Sequence, residues 1–360
     1  MKKLSVFIFY LLIACLHSQA QSPSFRPYHR GKIITRYMVS KSIQGNHAGE
    51  AARRRLTIYL PPDYGQEKKR YPVIYLLHGY GGDDRLTCEG IGLRRVADYS
   101  ILRGHTRAAI IVLPDSHTAY GGSFYTNSTY TGKWADFIAV DVVDYVDKHF
   151  RTIPAKDMRG LSGISMGGNG ALKIAMLYPG RFGAVYAMTP AVLNWSDGNN
   201  VYRPPFKTIS RSKSMQDIED DYGSMLMIDL GLVYSPNEKK PPFFVDLPAS
   251  YINDSLVIDS AVKRRWEENF PTRMIDQHLD ALKGLHAIKL DWGRNDEGKH
   301  VPQTCLEFSR KLEAYGIRHF AEEYLGGHAG NLEGLEGRFC TEVLPFFDTY
   351  LRRHQPKHPK

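Results

Sequence analysis

Gly163-Ile164-Ser165-Met166-Gly167 places a hydroxyl between two glycines with the spacing G-x-S-x-G. A serine oxygen becomes a useful nucleophile when a sharp strand-to-helix turn exposes it. The flanking glycines are then needed because side chains there would collide with neighbouring elements. The Met166 N–H would open the following helix, where it could stabilise an oxyanion. A hydroxyl also needs a base, and the base needs an orienting acid. Asp296, in Gly293-Arg294-Asn295-Asp296-Glu297, is the expected acid, with Asp291 and Glu297 as rivals. His328, in Gly326-Gly327-His328-Ala329-Gly330, is the expected base, with His286 and His300 as rivals. A second oxyanion donor is expected at the Tyr80 N–H, in His78-Gly79-Tyr80-Gly81-Gly82, where glycines let backbone approach a substrate.

These residues need a scaffold that delivers them from several strand ends. Val73–Leu77 and Ala109–Leu113 are uninterrupted apolar runs, as expected of central parallel strands buried on both faces. Strands are also expected at Arg55–Leu60, Met158–Ile164, Phe182–Met188, Ile288–Trp292 and Phe320–Leu325. Helices are expected at Trp134–Phe150, Ala171–Tyr178, Thr304–Tyr315 and Leu335–Leu351. This alternation predicts an α/β fold with a mostly parallel central sheet and helices on both faces. Residues 21–50 read as polar and irregular. The rhythm breaks over about 191–286, rich in Pro, Asn, Asp and aromatics, which reads as a cap inserted into a single domain spanning 21–352.

Taken together, the chain resembles the esterase family of α/β-hydrolases that holds esterase D (S-formylglutathione hydrolase), the antigen 85 mycolyltransferases, and bacterial feruloyl and acetyl-xylan esterases. The resemblance covers nearly all of residues 32–352. It rests on Leu56-Thr57-Ile58-Tyr59-Leu60-Pro61-Pro62-Asp63-Tyr64, Tyr71–Gly79, Pro114-Asp115, Gly121-Gly122-Ser123-Phe124-Tyr125, Ser165-Met166-Gly167-Gly168, Gly293-x-x-Asp296 and Gly327-His328. It implies the α/β-hydrolase fold, a Ser165–His328–Asp296 triad, an oxyanion hole at Tyr80 and Met166, and ester hydrolysis through an acyl-enzyme. The cap is where the chain departs from the family pattern.

The substrate is less legible. Tyr120, Phe124 and Tyr125 cluster on one loop and Trp195 lies in the cap, so these four are candidate substrate contacts, with the alternative that cap aromatics form a local core. Feruloyl or acetyl esters on polysaccharide are the leading expectation. Acyl transfer, siderophore-ester hydrolysis and glycan binding without turnover are the alternatives.

Composition narrows the class further. The 360 residues are 42% hydrophobic and 24% charged, which excludes a disordered or collagen-like chain. The net charge of +9 sits partly in short runs and a basic tail over 353–360, with no nucleic-acid-binding motif. No cofactor or metal motif is present. Lys2-Lys3, an apolar run from Leu4 to Leu16, and Ser18-Gln19-Ala20 read as a secretory signal over 1–20, too short for a comfortable membrane span. Leu12-Ile13-Ala14-Cys15 also resembles a lipoprotein box, which would anchor the chain through Cys15. The expected location is therefore secreted or periplasmic, or lipid-anchored. Cys88, Cys305 and Cys340 are expected as buried thiols, with a Cys305–Cys340 disulfide as the alternative.

Overall fold

The computed structural model describes residues 29–66, 68–195 and 204–351. The leader-like run, Cys15 and the basic tail lie outside the described residues.

Eight strands form one sheet: β1 (Lys32–Val39), β2 (Arg53–Leu60), β3 (Val73–Leu77), β4 (Ile110–Pro114), β7 (Arg159–Ile164), β8 (Ala184–Met188), β11 (Ala287–Gly293) and β12 (Phe320–Tyr324). Their order is β1-β2-β4-β3-β7-β8-β11-β12. The β1–β2 and β2–β4 pairs are antiparallel, and every other pair is parallel. Short pairs β5 (Asn127–Ser128) with β6 (Gly132–Lys133), and β9 (Ala249–Ile252) with β10 (Ser255–Ile258), stand apart. The architecture is the mostly parallel α/β sheet that the alternation predicted.

The apolar runs at β3 and β4 are wholly buried because helices cover both faces. Val73, Tyr75 and Leu77 face Trp134, Phe137 and Leu172 in one core. Ile74 and Leu76 face Val96, Val343 and Phe347 in the other. That odd–even split is the two-residue period of a pleated strand. The helices α1 (Asp84–Ile91) and α2 (Leu93–Leu102) follow β3. The expected helix from Trp134 to Phe150 is α3 (Trp134–Asp136), a π-helical stretch over Phe137–Val142, and α4 (Val143–His149). Helix α5 (Met166–Leu177) begins earlier than the apolar pattern suggested, because its glycine-rich first turn is helical.

Between β8 and β11 the chain leaves the sheet. It forms α6 (Pro204–Arg211), α7 (Tyr222–Tyr234), the β9–β10 hairpin, α8 (Ser260–Glu268), α9 (Pro271–Met274) and α10 (Leu279–Lys283). After β11 come α11 (His300–Ala314) and, beyond β12, a π-helical turn over Phe339–Val343 leading into α12 (Leu344–Tyr350). The last helical stretch thus starts later than expected from Leu335.

Residues 32–39 are a strand rather than the irregular segment expected. β1 is an edge strand whose sequence is interrupted by Thr35 and Arg36 and whose side chains are mostly exposed, so no apolar run announces it. Its identity comes from pairing with β2. The three described cysteines are free and buried, so no Cys305–Cys340 disulfide forms.

Candidate active site

Ser165 sits between β7 and α5 with φ +57°, a left-handed conformation that costs a non-glycine residue energy. The neighbouring glycines make this turn possible. A Cβ on Gly163 would lie 2.2 Å from the Gly167 carbonyl oxygen, and a Cβ on Gly167 would lie 2.3 Å from the Leu77 carbonyl oxygen. The turn therefore wedges against β3, the strand that ends at the expected oxyanion loop. Met166 opens α5, so its N–H has no acceptor within the helix.

Adjacent parallel strands deliver the other two groups. β11 ends at Gly293 and β12 at Tyr324, and the loops beyond them meet. His328 Nδ1 lies 2.7 Å from Asp296 Oδ2. Asp296 is fully buried, and its Oδ1 accepts the Gly298 N–H at 2.8 Å. Two directed bonds thus fix the carboxylate, with Oδ2 turned to the imidazole. Among the described residues neither Ser165 Oγ nor His328 Nε2 makes a hydrogen bond, to each other or elsewhere, so both are open toward the cavity. In hydrolases without substrate this serine–histidine contact is often loose.

Ser165 and His328 line one cavity of about 350 Å³, with Tyr80, Phe124, Met166, Ala191, Val192, Tyr222, Leu226, Glu297, Gly298, His300 and Val301. Serine, histidine and both expected oxyanion residues therefore share one space. Tyr80 is held by its hydroxyl, which donates to the Tyr120 carbonyl at 2.8 Å. Burial pushes the Tyr80 phenol above its ordinary value, so it stays a neutral donor. The loop ahead of it is fixed by His78. The Ser116 N–H donates to His78 Nε2 at 3.0 Å, so Nδ1 carries the proton and donates to the Gly79 carbonyl at 2.9 Å.

The rival residues have other partners. Asp291 is buried inside β11, ion-paired with Arg338 and accepting a hydrogen bond from Tyr186 Oη at 2.5 Å. His286 pairs with Asp157 at 2.8 Å, away from the cavity. His300 lines the cavity, but burial lowers its pKa to about 4, and its Nε2 has no hydrogen-bond partner among the described residues. Glu297 also lines the cavity and accepts the His328 backbone N–H at 2.8 Å, so it grips the main chain of the residue whose ring Asp296 holds.

Of the four aromatics singled out for substrate, only Phe124 lines the cavity. Tyr125 is fully buried, and its hydroxyl donates to the His78 carbonyl at 3.0 Å. Tyr120 is half-buried and contributes its carbonyl to Tyr80. Trp195 stacks on Trp266 at 5.8 Å and meets Phe270 edge-on at 4.9 Å, in a core of the segment between β8 and β11. The residues that sequence reasoning passed over are Val192, Tyr222, Leu226 and Val301. Tyr222 and Leu226 are four apart on α7 and share one face, a signal visible only once α7 is known to pass over Ser165.

Among the described residues no cluster of metal-ligating side chains occurs, and no helix is long and apolar enough to cross a membrane.

The family model described as "Putative esterase" matches residues 51–331. Esterase Rv1288 and Esterase MT1326, both of Mycobacterium tuberculosis, are 29% identical over 279 residues, covering 76% of this chain and 52% of theirs. The chain thus spans about half the length of these curated relatives. Among solved structures, a ferulic acid esterase superposes with TM-score 0.62 at 21% identity, covering 89% of this chain and 99% of its own. An S-formylglutathione hydrolase from Agrobacterium tumefaciens gives TM-score 0.55 at 15% identity, covering 90% and 97%. With the elbow, the strand order and a family match running from β2 through the His328 loop, the chain belongs to this esterase family of α/β-hydrolase fold.

Proposed function

We propose that the protein is a serine esterase in which Ser165, His328 and Asp296 hydrolyse a carboxylic ester through an acyl-enzyme. The observation that carries this reading is the Ser165 elbow facing the same cavity as a histidine whose Nδ1 is held by a buried aspartate. Ser165 Oγ attacks the ester carbonyl while its proton passes to His328 Nε2. The Tyr80 and Met166 N–H groups receive the oxyanion. As the tetrahedral adduct collapses, His328 returns that proton to the leaving alcohol oxygen. A water molecule then attacks the acyl-enzyme with His328 as base, releasing the carboxylic acid and restoring Ser165. Asp296 keeps the working tautomer and offsets the imidazolium charge.

The apolar wall of Tyr80, Phe124, Met166, Val192, Tyr222 and Leu226 suits a small aliphatic or aromatic acyl group. Feruloyl or acetyl groups on a polysaccharide fit that wall, and the ferulic acid esterase likeness supports the same class. The leader-like run over 1–20 supports export. The test is hydrolysis of p-nitrophenyl acetate, p-nitrophenyl butyrate, methyl ferulate and acetylated xylan by the wild type and Ser165→Ala. Loss of roughly 10⁴- to 10⁶-fold in kcat with an unchanged circular dichroism spectrum is expected. Ester turnover retained by Ser165→Ala would sink the assignment.

A further inference from the structure

The cavity has two chemically different walls, and the proposed mechanism says which half of the ester each one meets. His328 must return a proton to the leaving oxygen, so the alcohol half lies against the His328 side. Glu297, which accepts the His328 N–H, belongs with that side, together with its chain neighbours Gly298, His300 and Val301, and the rest of the lining besides Ser165 is apolar or aromatic. The assignment of halves rests on the serine-esterase reading above.

On the alcohol side Glu297 is the one lining residue, among those described, that carries a formal charge at neutral pH, and no lysine or arginine lines the cavity. Its side chain is exposed, but the carboxylate is tethered. Oε2 accepts the His328 backbone N–H at 2.8 Å, which ties it to the main chain of the catalytic histidine. The His328 N–H and the Glu297 backbone N–H hold its carboxyl below the usual range, so it is ionised at neutral pH. His300 does not neutralise it, because burial keeps that imidazole uncharged, and Lys299, whose charge acts on the carboxylate, does not line the cavity.

We propose that Glu297 selects the alcohol half of the substrate by charge, accepting neutral or cationic alcohols and rejecting anionic ones. An anionic leaving group would stand near Glu297 while the oxyanion forms, adding a like-charge repulsion that grows through the reaction. For exposed charges a few ångströms apart, such repulsion changes a rate by about 3- to 10-fold and fades with added salt. A sugar hydroxyl meets no such barrier. Glutathione, with a net negative charge at neutral pH, would be a poor leaving group here.

The experiment compares 4-acetoxybenzoate with methyl 4-acetoxybenzoate, which share an acyl group and nearly the shape of the leaving group. Each kcat/KM is normalised to the hydroxide-catalysed rate. The full chain is assayed as wild type, Glu297→Gln and Glu297→Asp at low and high salt, with Ser165→Ala as blank. Wild type should prefer the neutral ester by about 3- to 10-fold at low salt, with the preference shrinking at high salt. Glu297→Gln should bring the ratio near one, and Glu297→Asp should keep it. A purely structural role would lower both rates and leave the ratio alone. If Glu297→Gln is too slow to measure, the wild-type salt response decides: a salt-independent ratio overturns the proposal. Turnover that depends on Ser165 but is blind to charge defeats this inference alone. Turnover that survives Ser165→Ala defeats the serine-esterase reading and this inference with it.

Discussion

The carboxylate of Asp291, buried on β11 beside the edge strand β12, is ion-paired with the guanidinium of Arg338, which also donates from Nη1 to the Gly330 carbonyl at 3.2 Å. The Arg338 guanidinium carbon lies over Tyr324, 3.8 Å from its ring centroid, and Tyr324 Oη donates to the Gly327 carbonyl at 3.1 Å. One buried charge pair thus joins the sheet core to both ends of the loop that carries His328.

Removing one member of that pair strands the other. Arg338→Met leaves the Asp291 carboxylate buried without its counter-charge, at a cost of about 3–5 kcal/mol. Urea unfolding should show that loss, and kcat should fall by about tenfold or more as the His328 loop loosens. The double variant Arg338→Met with Asp291→Leu should regain much of the stability but not the activity. Recovery of both would show that Arg338 does not position the loop.

The elbow glycines are a steric requirement. In Gly163→Ala the new methyl would stand 2.2 Å from the Gly167 carbonyl oxygen, with no flexible side chain to yield. Backbone must move instead, and overpacking of this kind costs about 1–3 kcal/mol or more. Activity should fall by at least about 100-fold, because the shift displaces Ser165. Near-normal kcat in a folded Gly163→Ala protein would contradict this.

Lys173, on the helix behind Ser165, is buried with its ammonium 2.7 Å from Thr126 Oγ1 and 3.3 Å from Tyr234 Oη. Burial takes its pKa from 10.5 to about 7. Between those values the unfolded chain holds a proton that the folded one lacks, so this group makes stability rise with pH across that window. Below pH 7 both states are protonated and the full penalty applies. Lys173→Met should flatten the urea midpoint between pH 7 and 10 relative to wild type. Parallel curves would refute the burial effect.

Asp229 runs the other way. It is fully buried on α7, one turn beyond Leu226, and neither carboxylate oxygen has a hydrogen-bond partner among the described residues. Burial raises its pKa well above the ordinary value, so the folded state holds a proton that the unfolded chain releases above about pH 4. Its favourable contribution exists at acid pH and is lost as pH rises toward the folded-state value. Asp229→Asn should therefore raise Tm at pH 7 and converge on wild type near pH 4. A variant less stable at both pH values would show that the carboxyl has a partner.

Leu226 tests the acyl wall. Leu226→Phe fills part of the 350 Å³ cavity. It should lower kcat/KM for p-nitrophenyl butyrate and methyl ferulate by about tenfold while sparing p-nitrophenyl acetate, since a methylene or two is worth about 1–3 kcal/mol. Equal losses on all three would place the acyl group elsewhere.

The strands were legible where burial on both faces forces an uninterrupted apolar run, as at Val73–Leu77 and at Ala109–Leu113, observed as Ile110–Pro114. The elbow was legible because backbone crowding at Ser165 admits glycine alone at positions 163 and 167. The segments Gly293–Glu297 and Gly326–Gly330 then pointed to Asp296 and His328, which the structure brings to 2.7 Å. The edge strand Lys32–Val39 was not legible, since one exposed face and a polar interruption erase the period and only pairing with β2 defines it. Nor was the cavity lining. Tyr125 and Trp195 have the chemistry of substrate contacts, yet packing turned them into core, while Tyr222 and Leu226 reach the cavity because α7 crosses it. Sequence determines which residues can do chemistry wherever local backbone sterics or strand burial constrain them. Which side chains face the substrate depends on contacts between segments far apart in the chain, and those are settled only when the segment between β8 and β11 packs over the sheet.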